Sequence, residues 1–212
     1  MNKRYAASLE YAEKLKAEME KFDSAFYKRY EFFYYNALVI NFSVINPLKA
    51  INILVELSQK EKIDKLTFNG VFVYLNLVVL YYGQKDYSKA LQSMVKLYNY
   101  KDYQTTDERL KLKINLGELM MRYEKKEFDV LNYRLKQVYK DFDTFLKANA
   151  DIWEAGFLDV FGKILQTDKQ RNSTGIKETA HKLISNIKNN TTQDDMLFAY
   201  DNWIAEKAKI DM

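Results

Sequence analysis

The sequence predicts an all-α fold, an α-solenoid of antiparallel helical hairpins, and three observations carry that prediction. One Pro and six Gly in 212 residues leave few positions at which a helix must break. Apolar residues recur at steps of three and four, the spacing that lines one face of a 3.6-residue helix. Slid along itself, the chain also matches at shifts of 40 and 41 residues, the mark of a repeat. Apolar residues make up 48% of the chain, with 17 Tyr and 13 Phe, which suits a packed core and not a disordered chain.

Residues 4–22 set Tyr5, Leu9, Ala12, Leu15, Met19 and Phe22 on one stripe of an amphipathic helix. Asp23 or Ser24 caps a second helix. Its stripe runs through Phe26, Tyr30, Phe33, Ala37, Ile40 and Val44, and Tyr27, Tyr34 and Leu38 widen it until most of the surface is expected to be buried. Asn46–Pro47 ends that helix and starts the next, because Asn46 can accept from free N–H groups and Pro47 sits where a missing N–H costs nothing. The helix at 47–59 turns Leu48, Ile51, Leu54 (or Val55) and Ser58 to one side.

After QKEKIDK comes the most apolar window, LTFNGVFVYLNLVVLYYG (66–83). It is shorter than the roughly 20 residues of a membrane span and contains Asn69, Gly70 and Asn76, so a buried helix is expected. Asp86 caps a helix to about Tyr100, and Thr105 with Glu108 forms a capping box for one to about 124. A helix over about 127–147 follows, and Asp151 with Glu154 opens another to about 166. QTDKQRNSTG (166–175) reads as the main loop. Helices near 176–189 and 193–210 close the chain, the last with Met196, Tyr200, Trp203 and Ile210 inward as a cap. That makes nine or ten helices and no strand.

The 40-residue shift carries Ala50, Leu54 and Leu57 onto Ala90, Met94 and Leu97, Asn46 onto Asp86, and Asn36 onto Asn76. The 41-residue shift carries Tyr87, Ala90, Met94, Leu97 and Tyr98 onto Phe128, Leu131, Leu135, Val138 and Tyr139. The copy at 76–98, NLVVLYYGQKDYSKALQSMVKLY, resembles a tetratricopeptide repeat (TPR) at Leu77, Tyr81, the Asp86–Tyr87 turn, Ala90, Met94 and Leu97. NLG at 115–117 is similar to part of the family's first helix and AASLEYAEKL at 6–15 to its second, which hints that the chain opens mid-repeat. The copy at 36–57 has Pro47 where the family has an aromatic, and no motif matches after 150.

The resemblance implies one domain over 1–212, wound as a right-handed superhelix. It would comprise an N-terminal helix (1–25), three TPR-like hairpins (26–147), and divergent helices with a cap (148–212). It implies that Ala90 is small so that two helices can approach, with Tyr81 and Tyr87 filling the wedge. Shifts of 40 and 41 exceed the family's length of about 34, so longer helices are expected. The competing reading is a generic helical bundle whose hairpins share a length.

Little in the chain suggests chemistry. With one His and no Cys, zinc sites and His-dependent nucleophiles have almost nothing to draw on, and His181 reads as a boundary residue beside Ile176, Ala180, Ile184 and Ile187. Asp141 and Asp143 point to different sides of a helix, and Asp194 with Asp195 suits a helix N-terminus. Glycines stand singly, so no phosphate loop is present. No catalytic residue, metal or cofactor is expected; an enzyme using carboxylate or Lys chemistry is the least supported reading. The net charge of +4 is interleaved along the chain, unlike a phosphate-binding stripe. A nucleic-acid-binding helical protein is therefore the alternative, encouraged by a pI near 8.9 and by Lys28 and Arg29 within FYKRYEFFYY. A charged N-terminus without a leader-like apolar core, and the lack of Cys, give a cytoplasmic expectation.

The resemblance implies a non-enzymatic scaffold, whole or as a module of a larger polypeptide, that holds a protein or peptide partner. No nucleic acid or membrane partner is expected. The first helices of the repeats, at 27–43, 66–83 and 106–124, would line its concave face. Tyr35, Asn36, Asn76, Tyr82 and Asn115 are expected there, since Tyr supplies contact area at small entropic cost and Asn offers both a donor and an acceptor. The competing view has the helix at 4–22 folding across that face. Helix 66–83 lacks the Lys and Arg that a strongly acidic peptide would need.

Overall fold

A computed structural model of the chain describes residues 4–21, 24–59, 70–170, 174–192 and 196–210. Among these residues there are twelve helices and no strand. The sequence predicted nine or ten; a single turn at 101–104 and a break at Phe142 account for the excess. The chain divides into two compact units, Met1–Thr105 and Thr106–Met212, so two of the sequence-predicted hairpins lie in the first and the third in the second.

The first unit holds α1 (Tyr5–Met19), α2 (Ser24–Ile45), α3 (Pro47–Gln59), α4 (Gly70–Gly83), α5 (Tyr87–Tyr98) and α6 (Lys101–Gln104), and each of α1 to α4 packs on the next in sequence. Both expected caps form: Asn46 Oδ1 accepts from Lys49 N–H at 3.2 Å and Asp86 Oδ1 from Lys89 N–H at 3.1 Å. These are matching residues under the 40-residue shift. The rungs beyond them match in burial too, because Ala50, Leu54 and Leu57 on α3 and Ala90, Met94 and Leu97 on α5 are all buried. Ala90 has no exposed surface, and α4 and α5 are the most extensively packed pair. Ala90→Leu is therefore expected to overpack their contact and cost about 1–3 kcal/mol in urea unfolding.

Asp86 also gives the first unit a pH signature. The Lys89 N–H bond, opposed by slight burial and helped by the Lys89 ammonium, holds its carboxyl below the ordinary range. A lowered folded-state value means that the stabilisation is complete above the unfolded carboxyl value of about 3.9 and is lost as pH falls through the folded one. Wild type should exceed Asp86→Ala by about 1 kcal/mol at neutral pH. Thermal melts should show that gap closing below about pH 4.

The second unit holds α7 (Glu108–Glu124), α8 (Phe128–Asp141), α9 (Asp143–Ala148), α10 (Trp153–Gln170), α11 (Thr174–Asn190) and α12 (Tyr200–Ala208). Its central element is α7, buried without a break from Ile114 to Met121, with α8 and α10 packed on it and α11 and α12 on α10. Gly117 lies at a close approach: a Cβ there would stand 2.2 Å from the Phe198 ring. Tyr200 donates its hydroxyl to Lys113 O at 2.8 Å, and Trp203 its indole N–H to Glu124 at 2.7 Å. The terminal helix is thus part of the core as well as its edge.

One turn recurs in both units. Gln84, Lys85 and Asp86 donate their backbone N–H groups to Leu80, Tyr82 and Tyr81, with Lys85 in the left-handed region at φ 59°. Lys125, Lys126 and Glu127, 41 residues on, donate to Met121, Tyr123 and Arg122, and Lys126 also has φ 59°. An aromatic pair straddles each turn, Tyr82 with Tyr87 at 5.8 Å and Tyr123 with Phe128 at 6.0 Å. Tyr87 of the expected wedge thus packs on Tyr82, while Tyr81 packs against the core of the first unit and lies 5.6 Å from the Lys89 ammonium of α5.

Several local expectations differ from the structure. Asp107, not Thr105, caps α7, accepting from Leu110 N–H at 3.0 Å, while Thr105 donates to Asp102 O. The stretch 166–175 is largely helical, since α10 continues to Gln170 and α11 begins at Thr174. Residues 196–199 precede α12 instead of forming its first turn. Leu48 is exposed, and Ala50, Ile51, Leu54 and Leu57 form the buried face of α3. The expectations at Phe22, Asp23, 66–69 and Asp194–Asp195, and for the side chains of Phe26 to Arg29, lie outside the described residues.

Candidate partner-binding face

Helix α2 presents apolar residues in every direction, and the structure shows which of them find partners. Tyr34 and Leu38 pack with Ala12 and Met19 of α1, beside an Asn41 amide that donates to Ser8 Oγ at 2.8 Å. About a third of a turn away, Val39 joins Ala50, Leu54, Val73 and Leu77 of α3 and α4, backed by Phe32, Tyr35 and Phe42. Phe33, Ile40 and Val44 share the remaining side, where no helix among the described residues covers them, and are 57%, 41% and 57% exposed. Of the stripe expected to be buried these three are thus exposed, while Tyr30 and Ala37 are half-buried against the α1 contact. Ile45 and Leu48, at the following turn, are exposed as well.

Asn36 borders this surface on α2, and Asn76 holds the matched position on α4. Phe32 and Phe72, also related by the 40-residue shift, meet edge to face at 5.4 Å, and each Asn stands one helical turn further on. Both are half-buried. The Asn76 amide donates to Phe72 O at 2.8 Å, which leaves its side-chain carbonyl oxygen as an acceptor toward solvent or ligand. The other sequence-predicted residues lie elsewhere. Tyr35 is drawn between the two apolar clusters of the first unit, with its ring 5.1 Å from Tyr34. Tyr82 packs on Tyr87.

Asn115 belongs to the second unit, within a buried polar network on α7 and α8. Its amide donates to Lys111 O at 2.8 Å and its carbonyl accepts from Arg134 at 3.0 Å. Arg134 and Arg122 both bind the buried Glu118 carboxylate at 2.7 Å, and Arg122 reaches on to Glu127 at 2.9 Å. The bond and charge of Lys125, together with Arg122, outweigh partial burial and hold the Glu127 carboxyl below its ordinary range. Every carboxylate in this network faces a cation, so it joins two helices and offers no idle acid or base.

A cleft of about 510 Å³ in the second unit is lined by residues including Tyr139, Asp143, Leu146, Lys147 and Asp159. Burial, then the Asp159 charge, raises the Tyr139 phenol above its ordinary value. Asp143 is tied to Lys147 at 2.7 Å, and His181 is exposed on α11. Among the described residues no group of three or more His, Cys, Asp or Glu is placed to hold a metal ion, and no helix is long and apolar enough to cross a membrane.

Sequence reasoning missed Phe33, Ile40 and Val44 as surface residues. The available signal was that α2 is apolar on more sides than two neighbouring helices can cover. Compared with known proteins, the chain matches no family model, no curated protein and no solved structure.

Proposed function

We propose that the protein is a non-enzymatic, TPR-like helical-repeat scaffold that holds a protein or peptide partner on the first unit. The observation that carries this reading is the pair Asn36 and Asn76 at matched positions one turn beyond the Phe32–Phe72 contact, with exposed Phe33 and Ile40 beside Asn36. An extended backbone laid there would meet two amide side chains one repeat apart, with apolar walls for its anchoring residues. The shared turn at 84–86 and 125–127, with its aromatic pair, supports the repeat itself.

Affinity capture from the source cell, followed by mass spectrometry, tests the reading. Asn36→Ala with Asn76→Ala should weaken capture of a specific partner about tenfold or more, equal to about 1.4 kcal/mol. Thermal stability should change little, because the Asn76 amide bonds only to its own helix. Undiminished capture by the double variant would place the partner elsewhere.

A further inference from the structure

We propose that the cleft beside Tyr139 in the second unit binds a small aromatic amine, with the ring against Tyr139 and the ammonium on Asp159. The site lies apart from Asn36 and Asn76 and does not depend on the peptide-binding reading.

Two matched tyrosines call for the ring. The 41-residue shift carries Tyr98, at the end of α5, onto Tyr139, near the end of α8. Tyr98 rests against Tyr103 of α6 with ring centroids 5.2 Å apart, and Tyr103 is buried. Among the described residues no ring packs on Tyr139; it is 42% exposed and borders the cleft instead. A ring supplied from outside would give Tyr139 the contact that Tyr98 makes within its own unit. Offset or tilted ring pairs at such distances are favourable beyond the apolar area they bury.

The cleft suits such a ring in size and surface. Its volume of about 510 Å³ is that of a small-molecule site. Leu146, Ala155 and Gly156, all half-buried, line it, and Ala150 stands exposed at its side. A ligand of about ten to fifteen non-hydrogen atoms fits such a space.

Charge then selects the substituent. Asp143 and Lys147 on α9 pair at 2.7 Å and cancel. Asp159 of α10 is exposed and forms no ion pair among the described residues. Lys163, one turn further along α10, donates instead to Thr179 Oγ1 of α11 at 3.3 Å. The Asp159 charge reaches the cleft, because it adds to burial in raising the neighbouring Tyr139 phenol. That phenol is therefore neutral at physiological pH, and the lining carries a net negative charge. An ammonium is attracted there and a carboxylate repelled.

The test titrates tryptamine, and separately the anion indole-3-propionate, into the purified chain by isothermal titration calorimetry at neutral pH. Tryptamine should bind with a dissociation constant on the order of 0.1–1 mM. Indole-3-propionate should bind at least about fivefold more weakly, since it meets Asp159 with the wrong sign. Asp159→Asn should weaken tryptamine about three- to tenfold, the range of a charge-assisted contact at a half-open site, and narrow the preference between the two probes. Ala150→Leu, which crowds the cleft, should weaken both probes at least about fivefold. Both substituted positions are exposed, so circular dichroism melts should match wild type. Glu178→Gln, at an exposed acid on α11, should leave the affinity unchanged. No saturable binding up to about 5 mM tryptamine overturns the proposal, as does equal affinity for the two probes. An affinity that Asp159→Asn or Ala150→Leu leaves unchanged overturns it too, as does a loss in Glu178→Gln equal to that in Asp159→Asn.

Discussion

Trp203→Ala is expected to destabilise the second unit by about 3–5 kcal/mol. The indole is nearly fully buried, stacked on Phe161 at 5.4 Å and 18° and edge-on to Tyr123 at 5.3 Å. Its N–H donates to Glu124, which also holds Lys207 at 2.7 Å. Truncation would remove the ring that joins α7, α10 and α12 and leave a cavity among residues too constrained to collapse into it. Burial alone would lower the Lys207 ammonium, but its bonds to Glu124 and Glu206 outweigh that and raise it. A raised value means that this contribution is complete below the unfolded Lys value of about 10.4 and is lost only as pH rises through the folded one. The loss in Trp203→Ala should therefore be seen in full at neutral pH. Trp203→Phe, which keeps much of the ring packing, should cost less. Both Trp residues lie in the second unit, so their fluorescence during urea unfolding reports on it directly. A Trp203→Ala midpoint equal to wild type would contradict this packing.

Arg109→Met should cost about 3 kcal/mol, toward the lower end for a broken buried ion pair. Arg109 grips the Glu154 carboxylate twice, at 2.7 and 3.2 Å. The Glu154 side chain is 0% exposed and that of Arg109 44%, so the cost lies with the carboxylate left behind. The half-open position of the guanidinium lets water in and limits the damage. Adding Glu154→Met should restore most of the loss, because two apolar side chains of similar volume carry no desolvation penalty. If the double variant is no more stable than Arg109→Met, the uncompensated charge is not the cause.

Features determined within three or four residues could be read from the sequence. Asn46 and Asp86 cap their helices as expected because a cap needs only its own side chain and an N–H three residues on. Ala90 and its rungs were legible because the interval of 40 repeats them. On α2 the burial of Tyr34 and Leu38 was legible, but not the exposure of Phe33, Ile40 and Val44, since periodicity cannot say which of several equally apolar faces is left over. Thr105 and Glu108 satisfy the capping-box pattern, yet Asp107 stands next to the first turn and takes the bond. The polar run at 166–175 looked like a loop although it lacks a helix breaker before Gly175, which itself lies within α11.

At the candidate site, Asn36 and Asn76 were found through the shift. Asn115 was not related to them by it, because 41 residues beyond Asn76 stands Gly117. The partner that takes Asn115 into the core, Arg134, is 19 positions away, beyond the reach of any local pattern.

The way α12 ties back to α7 has a consequence for how the chain is made. In the first unit each helix packs on its neighbour, so contacts can form in the order in which the residues leave the ribosome. In the second unit, Tyr200 reaches Lys113 across 87 positions and Trp203 reaches Glu124 across 79. At roughly 5–20 residues per second, the side of α7 that α8 and α10 leave open waits on the order of 5–20 s after synthesis for Phe198, Tyr200 and Trp203. During that interval the notch at Gly117 and its apolar borders face water without Phe198. The Gly117 notch is accordingly the last part of α7 to be covered.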